Sequence, residues 1–183
     1  MGTFGSALIC QNCKESRKGD TTANDNKDGL LMVIKQDSKE TSAENNSVSS
    51  DALWKCNTCS FTKTDEDVEN LCFGIHAESE DLINSVPDQN SIKKFETFIK
   101  KYAGSILHTN HMLLTNLKYS LCGFYGRLPG YEMQEMSVAA LTRKKQICDE
   151  TLQVLNRIDP GISPRRGLFI LSKVFSYTNP TFW

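Results

Sequence analysis

The sequence shows no excess of charge of either sign. Lys and Arg together number 21 against 22 for Asp and Glu, a formal net charge of −1. Nucleic-acid-binding domains usually carry a basic face, so this balance gives no reason to expect DNA or RNA as a partner. Long apolar runs are also missing: none approaches the ~18 residues that a bilayer crossing requires. The opening residues, Met1-Gly2-Thr3-Phe4-Gly5-Ser6-Ala7, lack the basic-then-apolar order of a secretory leader. Met1-Gly2 with Ser6 does match a loose myristoylation pattern. No polybasic segment follows to give the second anchor that stable attachment needs, so no membrane partner is expected. Gly-rich phosphate loops, nucleophile elbows and paired-carboxylate patterns are absent as well. The residues alone therefore nominate no catalytic and no cofactor-binding side chain.

What the sequence does contain is cysteine in a particular pattern. Four of its seven cysteines form two CxxC pairs, Cys10-Gln11-Asn12-Cys13 and Cys56-Asn57-Thr58-Cys59. Each tight turn can aim two sulfurs at one centre, and two turns complete the four ligands of a tetrahedral zinc site. Four protein ligands leave no open coordination position, so such a site is structural. A redox CxxC would need a thioredoxin-like βαβ setting, and neither pair sits in one. We therefore expect zinc bound by Cys10, Cys13, Cys56 and Cys59. Cys72, Cys122 and Cys148 each lie inside a helical pattern and read as small buried hydrophobes. Paired CxxC motifs without a secretory leader suit a reducing compartment, cytoplasm or nucleus.

The two pairs frame a zinc ribbon over residues 1–62, interrupted by a polar stretch. An extended segment leads to Cys13. Residues 14–52 are rich in Ser, Thr, Asn, Asp, Glu and Lys and read as a disordered insertion, most clearly over 35–50. Its apolar island, Leu30-Leu31-Met32-Val33-Ile34, follows Asp28-Gly29 and predicts a turn and a short strand. Ala52-Leu53-Trp54-Lys55-Cys56 predicts a second strand, and Ser60-Phe61-Thr62 leaves the second knuckle.

Helical periodicity then runs from 64 to 178, in five helices, before a tail at 179–183. Thr64 with Asp67 caps the first, whose face is Val68, Leu71, Cys72, Ile75, Leu82 and Val86, closed by Pro87. Ile92, Phe95, Phe98, Ile99 and Tyr102 line the second, ended by Gly104. The third spans about 109–125 with Leu114, Leu117, Leu121 and Phe124. The fourth starts at Ser137 and carries Val138, Leu141, Cys148, Leu152 and Leu155, with Ile147, Val154 and Ile158 alongside. The fifth has Ser163 as N-cap, Pro164 in the first turn, and Leu168, Leu171, Val174 and Phe175 as its face. Short connections imply antiparallel helix pairs. Their lengths are near those of tetratricopeptide pairs, although that consensus does not recur at a fixed spacing. The expected fold is thus a small zinc ribbon followed by an all-α, tetratricopeptide-like bundle.

Other polar features read as structural. His108 and His111 stand at i and i+3 with no carboxylate nearby, which suits capping and packing at a helix start better than metal. His76, alone on a helix, reads as partly buried. Arg165-Arg166 opens the last helix, where the dipole disfavours cations, and reads as a solvated pair.

Short motifs scattered over nearly the whole chain, outside 14–52 and the last few residues, resemble one family. They are Gly2-Thr3 through Ser6-Ala7-Leu8-Ile9-Cys10-Gln11-Asn12-Cys13, Trp54-Lys55-Cys56-Asn57-Thr58-Cys59, Leu107-His108-Thr109-Asn110-His111 and Leu121-Cys122-Gly123-Phe124-Tyr125-Gly126-Arg127. Arg143-Lys144, Leu155, Asp159-Pro160-Gly161 and Arg166-Gly167-Leu168 continue them. Together they are similar to the arthropod branch of the SMYD family, the SET and MYND domain-containing lysine methyltransferases. That family places a SET domain split by a MYND finger before a cysteine-rich post-SET segment and a helical domain. The resemblance implies that this chain corresponds to the part after the SET domain, without the family's cofactor-binding glycine motif or catalytic tyrosine. No catalytic residue carries over, and S-adenosylmethionine is not expected to bind. Thr109, where the family often has Pro, Met112, where an aromatic is common, and the ending after Phe175 depart from the pattern. The implied function is a zinc-braced fragment whose helical domain meets a protein partner or substrate. The alternatives are part of a lysine (histone) methyltransferase whose catalytic domain lies upstream, and a zinc-ribbon nucleic-acid binder.

Overall fold

A computed structural model describes residues 8–16, 29–34 and 53–177. Among these are six helices and a four-stranded antiparallel sheet, in two compact units, one built on the sheet and one wholly helical. Residues 1–7, which carry the myristoylation pattern, most of the expected insertion and the tail 179–183 lie outside the described residues.

The sheet unit takes the described residues up to Glu78 together with Tyr102–His111. Its strands are β1 (Leu8–Ile9), β2 (Leu30–Ile34), β3 (Leu53–Cys56) and β4 (Thr62–Thr64), in the spatial order β1-β2-β3-β4. Leu8 pairs with Leu31, Leu31 with Cys56 and Val33 with Trp54, so the apolar island and the second strand pair as neighbours. Alternation along β3 buries Trp54 and Cys56 and exposes Lys55. Leu8, Ile9, Leu31, Trp54, Val68, Ile75 and Leu107 are the buried apolar side chains that hold this unit. Between β1 and β2 lies a short helix, α1 (Gln11–Glu15), where the sequence predicted only an extended approach. Cys10 starts it, and its carbonyl accepts the Lys14 N–H at 3.2 Å.

Helix α2 (Asp65–Asn84) follows β4 directly. Asp67 N–H donates to Thr64 Oγ1 at 3.2 Å, as the capping pattern required, and three carboxylates occupy the first turn, where the dipole favours them. Trp54 Nε1 donates to Asp65 Oδ1 at 2.7 Å, which ties the helix start to β3.

The helical unit takes 79–101 and the described residues from Met112 onward. It holds α3 (Ser91–Tyr102) up to Lys101, α4 (Met112–Phe124), α5 (Val138–Ile158) and α6 (Pro164–Tyr177), with α5 packed on both α4 and α6. The predicted stripe of α3 is buried throughout. Phe95 meets Phe124 edge-on at 5.1 Å. Ser137 and Ser163 cap α5 and α6 by accepting the N–H groups of Ala140 and Arg166. A charged cluster joins three helices of the unit. Arg143 grips both oxygens of Glu96 at 2.8 Å, and Lys118 reaches Glu150 at 2.8 Å.

Several expectations are corrected. The third helix begins at Met112, not 109, because Thr109 and Asn110 form a turn in which the His111 N–H bonds the His108 carbonyl. Val86, Val138 and Ile158 are exposed: Val86 lies past the end of α2, and the other two are terminal residues of α5. Among the described side chains of α6 the buried one is Phe169, while Leu171, Val174 and Phe175 are about half exposed. That helix has apolar residues on more than one side, and the stripe chosen from spacing is not the one that packs. No helix among the described residues is long and apolar enough to cross a membrane.

Candidate metal centre

All four predicted ligands converge. β1 delivers Cys10 and α1 delivers Cys13; β3 ends on Cys56, and the turn after it supplies Cys59. Their Sγ atoms all lie within 4.8 Å of one another. The nearest pairs cross between the knuckles, Cys10 to Cys59 and Cys13 to Cys56, each at 3.6 Å. A tetrahedron with metal–sulfur bonds of about 2.3 Å has edges of roughly 3.8 Å, close to this spacing. A disulfide needs sulfurs at about 2.05 Å, so these are separate thiols.

Burial and hydrogen-bond donors act on the sulfurs in opposite directions. The N–H groups of Thr58 and Cys59 point at Cys56 Sγ from 3.3 and 3.4 Å, and Asn12 Nδ2 donates to Cys59 Sγ at 3.6 Å. The Phe61 amide and then the Asn12 carboxamide pull the Cys59 thiol down to about 6. Burial pushes Cys13 up to about 12, aided by the neighbouring thiols, and burial also raises Cys10 against the opposing Cys13 amide. Protons thus bind unequally to Cys59, Cys10 and Cys13, and a cation at the centre of the cluster would favour thiolate over thiol. A soft, four-thiolate set with no open position suits a tetrahedral metal such as zinc and offers substrate no place to bind.

Two features of the site were not read from sequence. Gly29 is buried at its edge, where an added Cβ would lie 2.6 Å from Cys56 Sγ and 2.7 Å from Cys13 Sγ. Its carbonyl accepts the Cys10 N–H at 2.8 Å, while Leu30 exchanges hydrogen bonds with Asn57. The Asp28-Gly29 turn signal marked the position, but not its contact with the sulfurs. The second feature is a buttress from 104–107. Gln11 Nε2 donates to the Ser105 carbonyl at 2.8 Å, Lys14 Nζ to the Gly104 carbonyl at 2.9 Å, and Ile9 N–H to the Ile106 carbonyl at 2.8 Å. Gly104, in the left-handed region at φ 67°, turns these carbonyls back toward α1.

The other candidates stay apart. Among the described residues the four cysteines are the one group of three or more side chains placed to share a metal ion. His108 Nδ1 accepts the Asn110 N–H at 3.2 Å, a turn-capping contact, and His111 is buried. Arg165 is exposed, but Arg166 is not a simple solvated side chain: it bonds the Gly161 carbonyl, and its Nε is buried without a partner. Compared with protein-family models, curated proteins and solved structures, the chain matches none.

Proposed function

We propose that this chain is a zinc-braced protein-interaction module, with zinc held by Cys10, Cys13, Cys56 and Cys59 as a closed structural site. The observation that carries the reading is the convergence of four sulfurs within 4.8 Å, at the spacing of a tetrahedron. The Phe61 amide and the Asn12 carboxamide aimed at Cys59 support it, because they stabilise that sulfur as thiolate. For the helical part, the half-exposed Ile170, Leu171, Val174 and Phe175 on α6 support a role in meeting a protein. The resemblance to the post-SET and tetratricopeptide-like regions of SMYD proteins supports the same division of labour. In this reading the helices contribute a docking surface, and methyl transfer belongs to SET domains of the family. A reducing compartment, cytoplasm or nucleus, would keep the thiolates available for metal.

Metal analysis of the purified chain tests the core of the proposal. One zinc per chain is expected, with a cobalt-substituted form showing the thiolate charge-transfer bands of a tetrahedral four-sulfur site. A substoichiometric metal content, or cobalt spectra showing nitrogen or oxygen ligands, would rule out the four-cysteine site. Calorimetry with S-adenosylmethionine separates this reading from an enzyme. No heat of binding is expected, and binding would move the assignment to a methyltransferase.

A further inference from the structure

Outside the metal centre a second pair of thiols meets. Cys122 on α4 and Cys148 on α5 place their Sγ atoms 3.5 Å apart, and the two residues are 1% and 0% exposed. Buried cysteines that serve only as small hydrophobes need no such juxtaposition, nor a cation beside them. Lys144, one turn before Cys148 on α5 and only 5% exposed, acts electrostatically on both thiols. Ser172 of α6 also bonds Cys122. The two thiols share a hydrogen bond in which either sulfur can be the donor. That bond, then the Ser172 bond and the Lys144 ammonium, outweigh burial and draw Cys122 down to about 7. Cys148 keeps its proton and is pushed upward, first by that bond and then by burial.

We propose that Cys122 and Cys148 form a redox-modification site, converted by a hydroperoxide into an intramolecular disulfide between α4 and α5. The Cys122 thiolate attacks the terminal peroxide oxygen: an S–O bond forms, the O–O bond breaks, and the leaving alkoxide or hydroxide takes a proton. Cys148, losing its proton, attacks the resulting sulfenic sulfur. The S–S bond forms, the S–O bond breaks, and water leaves. Two thiols and one hydroperoxide thereby give one disulfide, one alcohol (or water) and one water. The sulfurs close by about 1.5 Å to reach a normal disulfide length, a side-chain displacement between helices already in contact. Access comes through α6, which covers Cys122 at Ser172. Among the described side chains of α6 only Phe169 is buried, and the peroxide would enter by a local opening of this helix from α5, against which it packs.

The test uses the full chain loaded with zinc and treated with hydrogen peroxide, followed by differential alkylation and peptide mass mapping. Cys122 and Cys148 should lose alkylation together and appear in one cross-linked peptide lighter by two hydrogens. They should do so ahead of Cys72, which is more exposed but is raised by burial and then by Glu69. Cys148→Ala should leave a sulfenate at Cys122 that dimedone traps, whereas Cys122→Ala should leave Cys148 unmodified. Earlier oxidation of Cys72, or a pair still alkylatable once the metal-site cysteines are oxidised, would overturn the proposal. So would a Cys148→Ala protein with native helical circular dichroism and no dimedone adduct at Cys122. The wild-type map decides the matter by itself if the variants fail to fold.

Discussion

At the residue scale the four-cysteine site depends on an absent side chain as much as on four present ones. A Cβ at position 29 would intrude to 2.6 and 2.7 Å from two of the sulfurs, closer than real Cβ contacts come. The sulfurs cannot yield without leaving the tetrahedron, and the backbone of Gly29 is tied through its carbonyl to Cys10. Gly29→Ala should therefore weaken metal binding by about 10- to 100-fold, the range seen when groups supporting metal ligands are changed. Competition against a coloured chelator measures this directly, and an unchanged affinity would show that the sulfurs are not crowded there. The convergence of the four cysteines was legible because CxxC spacing is a local chemical signature. The role of Gly29 was not, because it arises when β2 passes between two knuckles far apart in sequence. Gln11 and Lys14 escaped notice for the same reason, since their acceptors, Ser105 and Gly104, lie some ninety residues away.

Elements show where sequence periodicity suffices and where packing decides. For α3, one stripe is apolar and the rest polar, so every predicted core residue is buried. For α6, Leu168, Phe169, Ile170, Leu171, Val174 and Phe175 cover too much of the circumference for spacing to choose a side. The structure selects Phe169, which lies against Tyr119 with ring centroids 5.8 Å apart. Truncating it as Phe169→Ala should destabilise the helical unit by about 3–5 kcal/mol. Leu171→Gln should change stability by no more than ~0.5 kcal/mol, as a surface substitution does. Urea unfolding followed by circular dichroism compares the two, and the reverse ranking would mean that α6 packs through its other face. Within α2, Gly74 is exposed and an added methyl meets nothing within 4 Å. Gly74→Ala should then raise stability by roughly 0.5–1 kcal/mol through a less flexible unfolded chain. A loss of stability in the same assay would indicate a contact at Gly74 that the fold does not provide.

On the scale of the whole molecule the two units differ in what holds them. The helical unit has its own core, built from α3 to α6 around Phe95, Phe98, Leu114, Leu117, Leu121, Ile147 and Phe169. The sheet unit has strands of two to five residues, and three consecutive residues of β2, Met32, Val33 and Ile34, remain exposed. Sheets so short are marginal without a cross-link, and structural zinc contributes apparent energies of about 10–16 kcal/mol in small domains. Removing the metal by chelation, or breaking the site with Cys56→Ser, should unfold the sheet unit and leave most helical signal intact. Trp54 reports on this well: it is buried, its indole N–H is held by Asp65, and Trp183→Phe leaves it as the one tryptophan. Its emission should shift to longer wavelength on chelation, and tryptic protection of residues 53–64 should disappear. The pH dependence has a definite sign. In the metal-free fold the depressed Cys59 thiol favours the folded state above its unfolded value of 9.0, a contribution lost as pH falls through about 6. Cys13, raised to about 12, acts oppositely: its contribution is present below 9.0 and fades as pH rises toward 12. Metal binding must displace the protons of both, so apparent affinity should fall steadily from about pH 8 to about pH 5. Trp54 emission and metal content should then move together along that titration. If the sheet unit kept its Trp54 signal after the metal had left, the strands and their small apolar core would be holding it unaided.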